Sequence, residues 1–242
     1  MRNPSANLSI GTPSQRLERS VPKTREVPRT AEDFGVLLAL AGWLEVLDDL
    51  HGGFCHDLNG RVGSLDGLLQ IMQLDGPDDT PVMSYLESEA ARLGDSVRIL
   101  RTLSGKMDAP AEPLLARDLA ERALTLHRRH RGLEIQEVTL TAEEEIPPFR
   151  ASLPRVLRVL LIVLSRAGRD AREAGVRKLE VHAAARGGAS ITVRWSGDAP
   201  WDPASLGPSL EALGALLAVD QGILALGPDS ATLTFPALTL GG

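Results

Sequence analysis

The stretch FCHDLNGRVGSL, Phe54–Leu65, decides how this chain is read. It lies inside a run of apolar residues at helical spacing, from about Ala31 to Leu74. Leu37, Leu44, Leu58, Leu65 and Met72 fall seven apart or a multiple of it, and His51 takes the missing step. Ala41, Leu47, Phe54, Val62 and Leu69 thicken the row. Such a repeat predicts one long amphipathic helix with a heptad seam. Gly52 and Gly53 weaken it, by about 1 kcal/mol each relative to Ala, and are candidates for a bend. With Leu58 on the seam, His56 lies about 200° around the helix and faces water. Its neighbour Asp57 is a carboxylate able to orient an imidazole and support its basic nitrogen. By position alone an ordinary surface histidine is the simpler reading.

Working outward, LDGPDDTP (Leu74–Pro81) has the composition of a turn. A second helix is predicted near Val82–Ser104, with Leu86, Leu93, Leu100 and Met107 in one row and Ala90 and Val97 beside it. The two form an antiparallel hairpin. One hairpin cannot bury both stripes, whereas two hairpins can as a four-helix bundle, so a homodimer is expected. Toward the N-terminus, residues 1–30 are rich in Pro, Ser, Asn and Arg, which reads as a basic, solvated tail with little to bury.

Beyond Ser104–Pro113, a linker by composition, the pattern becomes mixed α/β. Helices are predicted at Leu114–Arg131, Leu153–Ala174 and Pro203–Leu217. Strands are predicted at Leu133–Thr141, Lys178–Ala185, Ala189–Trp195, Gly222–Leu226 and Ala231–Phe235, with RGG (186–188) marking a hairpin. These elements suggest a sheet covered by helices on one face. The chain thus divides into a tail (1–30), a helical hairpin (31–106) and an α/β domain (112–242).

Composition bounds the function. The chain has 242 residues, 43% of them hydrophobic and 24% charged, with a net charge of −6. That length supports a core without staples, and the charge does not suggest general nucleic-acid binding. The single cysteine, Cys55, excludes an internal disulfide. No apolar run approaches the ~20 residues of a membrane span, and no signal-peptide core opens the sequence, so a cytoplasmic protein is expected.

HDLNGRVGSL (His56–Leu65) resembles the phospho-acceptor box of two-component histidine kinases, which place a His followed by Asp or Glu on the first helix of a dimerising hairpin. The second half resembles the ATPase domain of those kinases, a two-layer α/β sandwich shared with gyrase and Hsp90. EIPPFRASLPRVLRVLLIVLSRAGRDA (Glu145–Ala171) follows that family's run of proline, short strand and apolar helix, and QGILALGPDSATLTFPA (Gln221–Ala237) its closing hairpin.

This chain departs from the family where ATP is held. The two asparagines that hold Mg²⁺ and phosphate are replaced by Ile162 and Arg166. Trp195 stands where an Asp reads adenine, Ala199 replaces the second glycine of that turn, and the glycine-rich lid is missing. An isoleucine supplies neither an oxygen ligand nor close backbone approach to phosphate. Arg61 occupies the place of a common proline. Gly60 stands where Thr or Asn often orients water, which puts phosphatase activity in question.

A histidine hairpin followed by a nucleotide-blind ATPase fold resembles the ChpT-type histidine phosphotransferases. The resemblance implies a relay of phosphoryl groups between receiver domains of response regulators, a hybrid histidine kinase being a further partner. His56 would be the nucleophile and Asp57 its support, with Asn59, Gly60, Arg61 and Ser64 lining the receiver contact. The chain would need no cofactor of its own, because the receiver brings Mg²⁺. Two other readings stay open: a pseudokinase scaffold that binds a kinase or receiver without carrying phosphate, and a divergent active kinase.

His51 and Cys55 have metal-ligand spacing, and a dimer could bring two such pairs together, but a bundle-core histidine and a small buried cysteine are simpler. LHRRHRG, with His127 and His130, reads as a solvated basic face. Glu143–Glu145 reads as a solvated loop, and Trp195 and Trp201 as core or rim.

Overall fold

The computed structural model describes residues 31–75, 80–103, 109–128, 137–196, 202, 206, 209–227 and 229–238. The expected tail, the middle of the turn predicted at Leu74–Pro81, His130, Ala199 and Trp201 lie outside them. Helix α1 (Ala31–Asp75) runs without interruption through Gly52 and Gly53. Helix α2 (Thr80–Leu103) packs back against it. No helix among the described residues is long and apolar enough to cross a membrane.

The second half opens with strand β1 (Glu112–Leu114), inside what composition reads as linker and helix start. It pairs antiparallel with β3 (Phe149–Ala151). Helix α3 is therefore shorter than predicted, Ala116–His127. Strand β2 (Glu137–Ala142), helix α4 (Leu153–Glu173), strands β4 (Lys178–Ala184) and β5 (Ala189–Ser196), helix α5 (Ser209–Ala218), and strands β6 (Ile223–Leu226) and β7 (Ser230–Phe235) follow.

Five strands form one sheet in the order β2-β4-β5-β7-β6, with β2–β4 parallel and the other pairs antiparallel. Period-2 alternation sorts its faces. Leu179, Val181, Ile191, Val193, Leu233 and Phe235 are buried and face α3 and α4. On the other face, directly opposed residues bond across strands: Thr141 with His182 (2.9 Å), Arg194 with Glu180 (2.9 Å) and Thr192 with Thr232 (3.0 Å). This is the one-side-covered sheet expected from sequence.

Local chemistry ends the elements. At the end of α4, Gly175 takes a left-handed φ of 73°, its N–H donates to Arg172 and that of Val176 to Ala171, a Schellman stop. In the β4–β5 turn, Gly188 has φ 136°, and a Cβ there would lie 2.0 Å from the Phe235 carbonyl oxygen, so only glycine fits. Phe235 stacks on Phe149 with ring centroids 4.3 Å apart, tying the closing strand to β3.

The hairpin and the α/β domain share one core. Trp43, Val46, Leu50 and Phe54 of α1 are buried in the same cluster as Ile162 and Val159 of α4 and Leu213 and Leu217 of α5. In the single chain the expected heptad row stays largely open. Leu44, in the heptad row, is 62% exposed, and Val62 and Leu69 are exposed too, while Leu58, Leu65 and Met72 are half-buried. The intrachain core is carried by the flank beside that row, because the chain's own second domain covers the N-terminal half of α1. Arg169 pairs with Glu45 and, at 3.9 Å, with Asp49 across the junction. The Arg158 guanidinium lies 5.0 Å from the Trp43 ring centroid and donates to the Leu103 carbonyl at 3.3 Å. Burial holds Arg158 below the ordinary arginine pKa, and the ring face and carbonyl compensate part of that desolvation.

Candidate functional site

The midsection of α1 presents three surfaces. The first, ending at Phe54, is docked on the α/β domain. The second faces α2. There Asp57 accepts a bidentate pair from Arg61, Nε to Oδ2 at 3.0 Å and Nη2 to Oδ1 at 3.1 Å. It also accepts from the Ser96 hydroxyl of α2 at 3.0 Å. Arg61 reaches Glu89 of α2 at 3.4 Å. Going forward along α1 from Asp57 to Arg61, the partner moves back along α2 from Ser96 to Glu89, so these bonds fix the antiparallel register of the hairpin. The Asp57 carboxylate, first through its hydrogen bonds and then through its charge, holds the Arg61 guanidinium more firmly protonated than usual.

The third surface carries His56, which is exposed, as its angular position predicts. Asn59, Gly60 and Ser64 are exposed with it. Ser64 donates to the Gly60 carbonyl at 3.0 Å, one turn back. A Cβ added at Gly60 or Gly63 would meet nothing within 4 Å, so packing within the chain does not require glycine there.

The sequence-derived residues therefore separate. His56, Asn59, Gly60 and Ser64 share open surface, whereas Asp57 and Arg61 turn toward α2 and bond to it. Ser96, buried on α2, completes that network and was not singled out from sequence. Its signal was its helical spacing between Leu93 and Leu100, in the apolar row of α2. Among the other groupings, Cys55 and His51 are exposed rather than buried in the single chain. His127 is buried at the end of α3 rather than solvated, because the apolar Leu119, Ala123 and Leu126 carry that face inward. Trp195 is buried in β5, and Ile162 is buried on α4. Glu143, exposed, accepts from the Ala185 backbone N–H at 2.7 Å, tying its loop to the β4–β5 turn.

No family model matches the sequence, and no curated protein matches it. Among solved structures, the chain is similar to the Acinetobacter baumannii histidine kinase AdeS, at 18% identity over 75% of this chain and 98% of that one, with a TM-score of 0.42. It is similar to the ATP-binding domain of PrrB from Mycobacterium tuberculosis at 15% identity, over 54% and 99% of the two chains, with a TM-score of 0.40. It is also similar to histidine kinase ThkA, solved in complex with response regulator protein TrrA, at 11% identity over 87% and 67%, with a TM-score of 0.39.

Proposed function

We propose that this chain is a histidine phosphotransfer protein that relays phosphoryl groups between response-regulator receiver domains through His56, without using ATP. The observation that carries the reading is the exposure of His56 on a face of α1 committed neither to α2 nor to the α/β domain. A partner can reach its imidazole without opening the fold.

In the transfer step an imidazole nitrogen attacks the phosphorus of a receiver's aspartyl phosphate. The N–P bond forms as the acyl P–O bond breaks and the carboxylate leaves; the reverse step loads a second receiver. Positioning and the receiver's Mg²⁺ carry most of the catalysis. Asp57 is assigned to support of His56. With its oxygens engaged by Arg61 and Ser96, it acts by holding this turn of α1 against α2, which sets the direction of the adjacent imidazole. Asn59, Gly60 and Ser64 are assigned to the receiver contact, and Arg61 to its edge.

The absence of ATP chemistry is supported by Ile162. This side chain occupies the position that the kinase resemblance gives to a metal-holding asparagine. It is buried in the core shared with α1, and a Cβ added at Gly42 of α1 would lie 3.8 Å from its Cγ2. That part of α4 is thus covered by the chain's own first helix.

A homodimer completes the architecture. Leu40, Leu44, Val62 and Leu69 leave an apolar row exposed along α1 from residue 40 to residue 69, roughly 43 Å of helix. A row that long on a single chain marks an interface, and a second hairpin packed on it gives a four-helix bundle. His56 lies away from that row, so it stays reachable in the dimer.

The test is to mix the protein with receiver domains carrying phosphoaspartate and follow acid-labile phosphate on this chain. Transfer to wild type and none to His56→Ala is expected. Unimpaired signalling by His56→Ala in cells would instead favour the scaffold reading, in which the same surface binds a kinase or receiver without accepting phosphate.

A further inference from the structure

The exposed row on α1 is apolar except at its centre, where His51 and Cys55 stand one helical turn apart. Their side chains converge: the Cys55 Sγ is 3.6 Å from the His51 Nε2 and 4.0 Å from the Nδ1. Zinc binds thiolate sulfur at about 2.3 Å and imidazole nitrogen at about 2.0–2.1 Å, and a tetrahedral angle between the two bonds sets S and N about 3.6 Å apart. The pair already has the bite of a two-ligand chelate. Among the described residues no third His, Cys, Asp or Glu joins it, so a single chain does not close the site.

We propose that His51 and Cys55 form half of a zinc site, completed by the same two residues of a second copy, with one Zn²⁺ held by Cys₂His₂ between the two α1 helices of the dimer. The proposal rests on the homodimer reading above. His51 and Cys55 lie between Leu44 and Leu58 on the same side of α1, so two copies closing on that row bring both pairs to their common axis. Closure without metal would bury two Cys55–His51 pairs inside an apolar seam, each joined only by a weak thiol–imidazole hydrogen bond. One metal ion replaces those two weak bonds with four ligand bonds. On binding, each thiol releases its proton to solvent as a Zn–S bond forms, and each imidazole binds neutral through Nε2. The ligand set, two thiolates and two imidazoles, selects zinc over magnesium or calcium, which take oxygen.

The experiment uses the full chain and Co²⁺ as a spectroscopic probe. Because Cys55 is the only cysteine, any thiolate-to-cobalt charge-transfer band reports this residue alone. Expected are a charge-transfer band, the visible absorption of tetrahedral cobalt, saturation at one metal per two chains, and displacement by Zn²⁺. Cys55→Ser should abolish the charge-transfer band, and His51→Gln should abolish saturation at micromolar metal. Both positions are exposed in the single chain, so neither variant should lose the fold. Light scattering in chelator separates the two readings. A dimer that binds no cobalt, or binds it only with an octahedral spectrum, overturns the zinc site and leaves the dimer standing. A chain that stays monomeric with and without metal overturns the dimer and the site together.

Discussion

Replacing Phe54 by alanine tests the claim that the hairpin and the α/β domain fold as one body. Phe54 is 1% exposed and belongs to the cluster that includes Leu50, Ile162 and Leu217. A phenylalanine buries roughly 150–200 Å², which at about 25 cal/mol per Å² gives an upper figure of about 4–5 kcal/mol. Measured Phe→Ala substitutions in cores cost about 3–5 kcal/mol, including the cavity. The denatured chain already hides some of this area, so a loss of about 3–4 kcal/mol is expected. The assay is urea unfolding at fixed protein concentration, because dimerisation makes stability depend on concentration. Intrinsic fluorescence, from Trp43 in the hairpin and from Trp195 and Trp201 later in the chain, should report a single transition in wild type. The reasoning fails if Phe54→Ala costs less than about 0.5 kcal/mol, the range of an exposed site. It also fails if the wild-type hairpin and α/β domain melt separately.

Three further expectations follow from named contacts. Asp57→Ala removes the shared acceptor of Arg61 and Ser96, so it should destabilise the protein by about 1–3 kcal/mol, read by thermal or urea melts, and slow phosphotransfer while leaving receiver binding measurable. Asp220→Asn strips the charge partner from Arg155, a nearly buried pair at 2.7 Å, and should cost about 3–5 kcal/mol by the same melts. Equilibrium titration with Mg-ATP should show no saturable binding up to millimolar concentration, and micromolar binding with phosphate appearing on His56 would return the chain to the kinases.

Some features were legible in the residues themselves because their causes are local. The helical periods of Ala31–Leu74 and Val82–Ser104 mark the two helices of the hairpin. The RGG turn worked because Gly187 and Gly188 both take positive φ, and Gly175 stopped α4 because glycine takes the left-handed φ there without strain. The outward direction of His56 followed from helical geometry alone. Strand β1 was not legible: three residues, one of them proline, carry no period, and only pairing with β3 makes them a strand.

What tertiary structure decided is which face of α1 is buried and what Asp57 bonds to. A helix with apolar residues on two adjacent flanks has two ways to be buried, and its sequence does not rank them. The choice belongs to α4 and α5, more than 100 residues later, which cover Trp43, Val46, Leu50 and Phe54 and leave the row through Leu44, Val62 and Leu69 open. Asp57 could serve its neighbour or the opposite helix. Arg61 one turn on, and Ser96 brought across by the hairpin, turn it toward α2, a contact spanning 39 residues that no local pattern encodes.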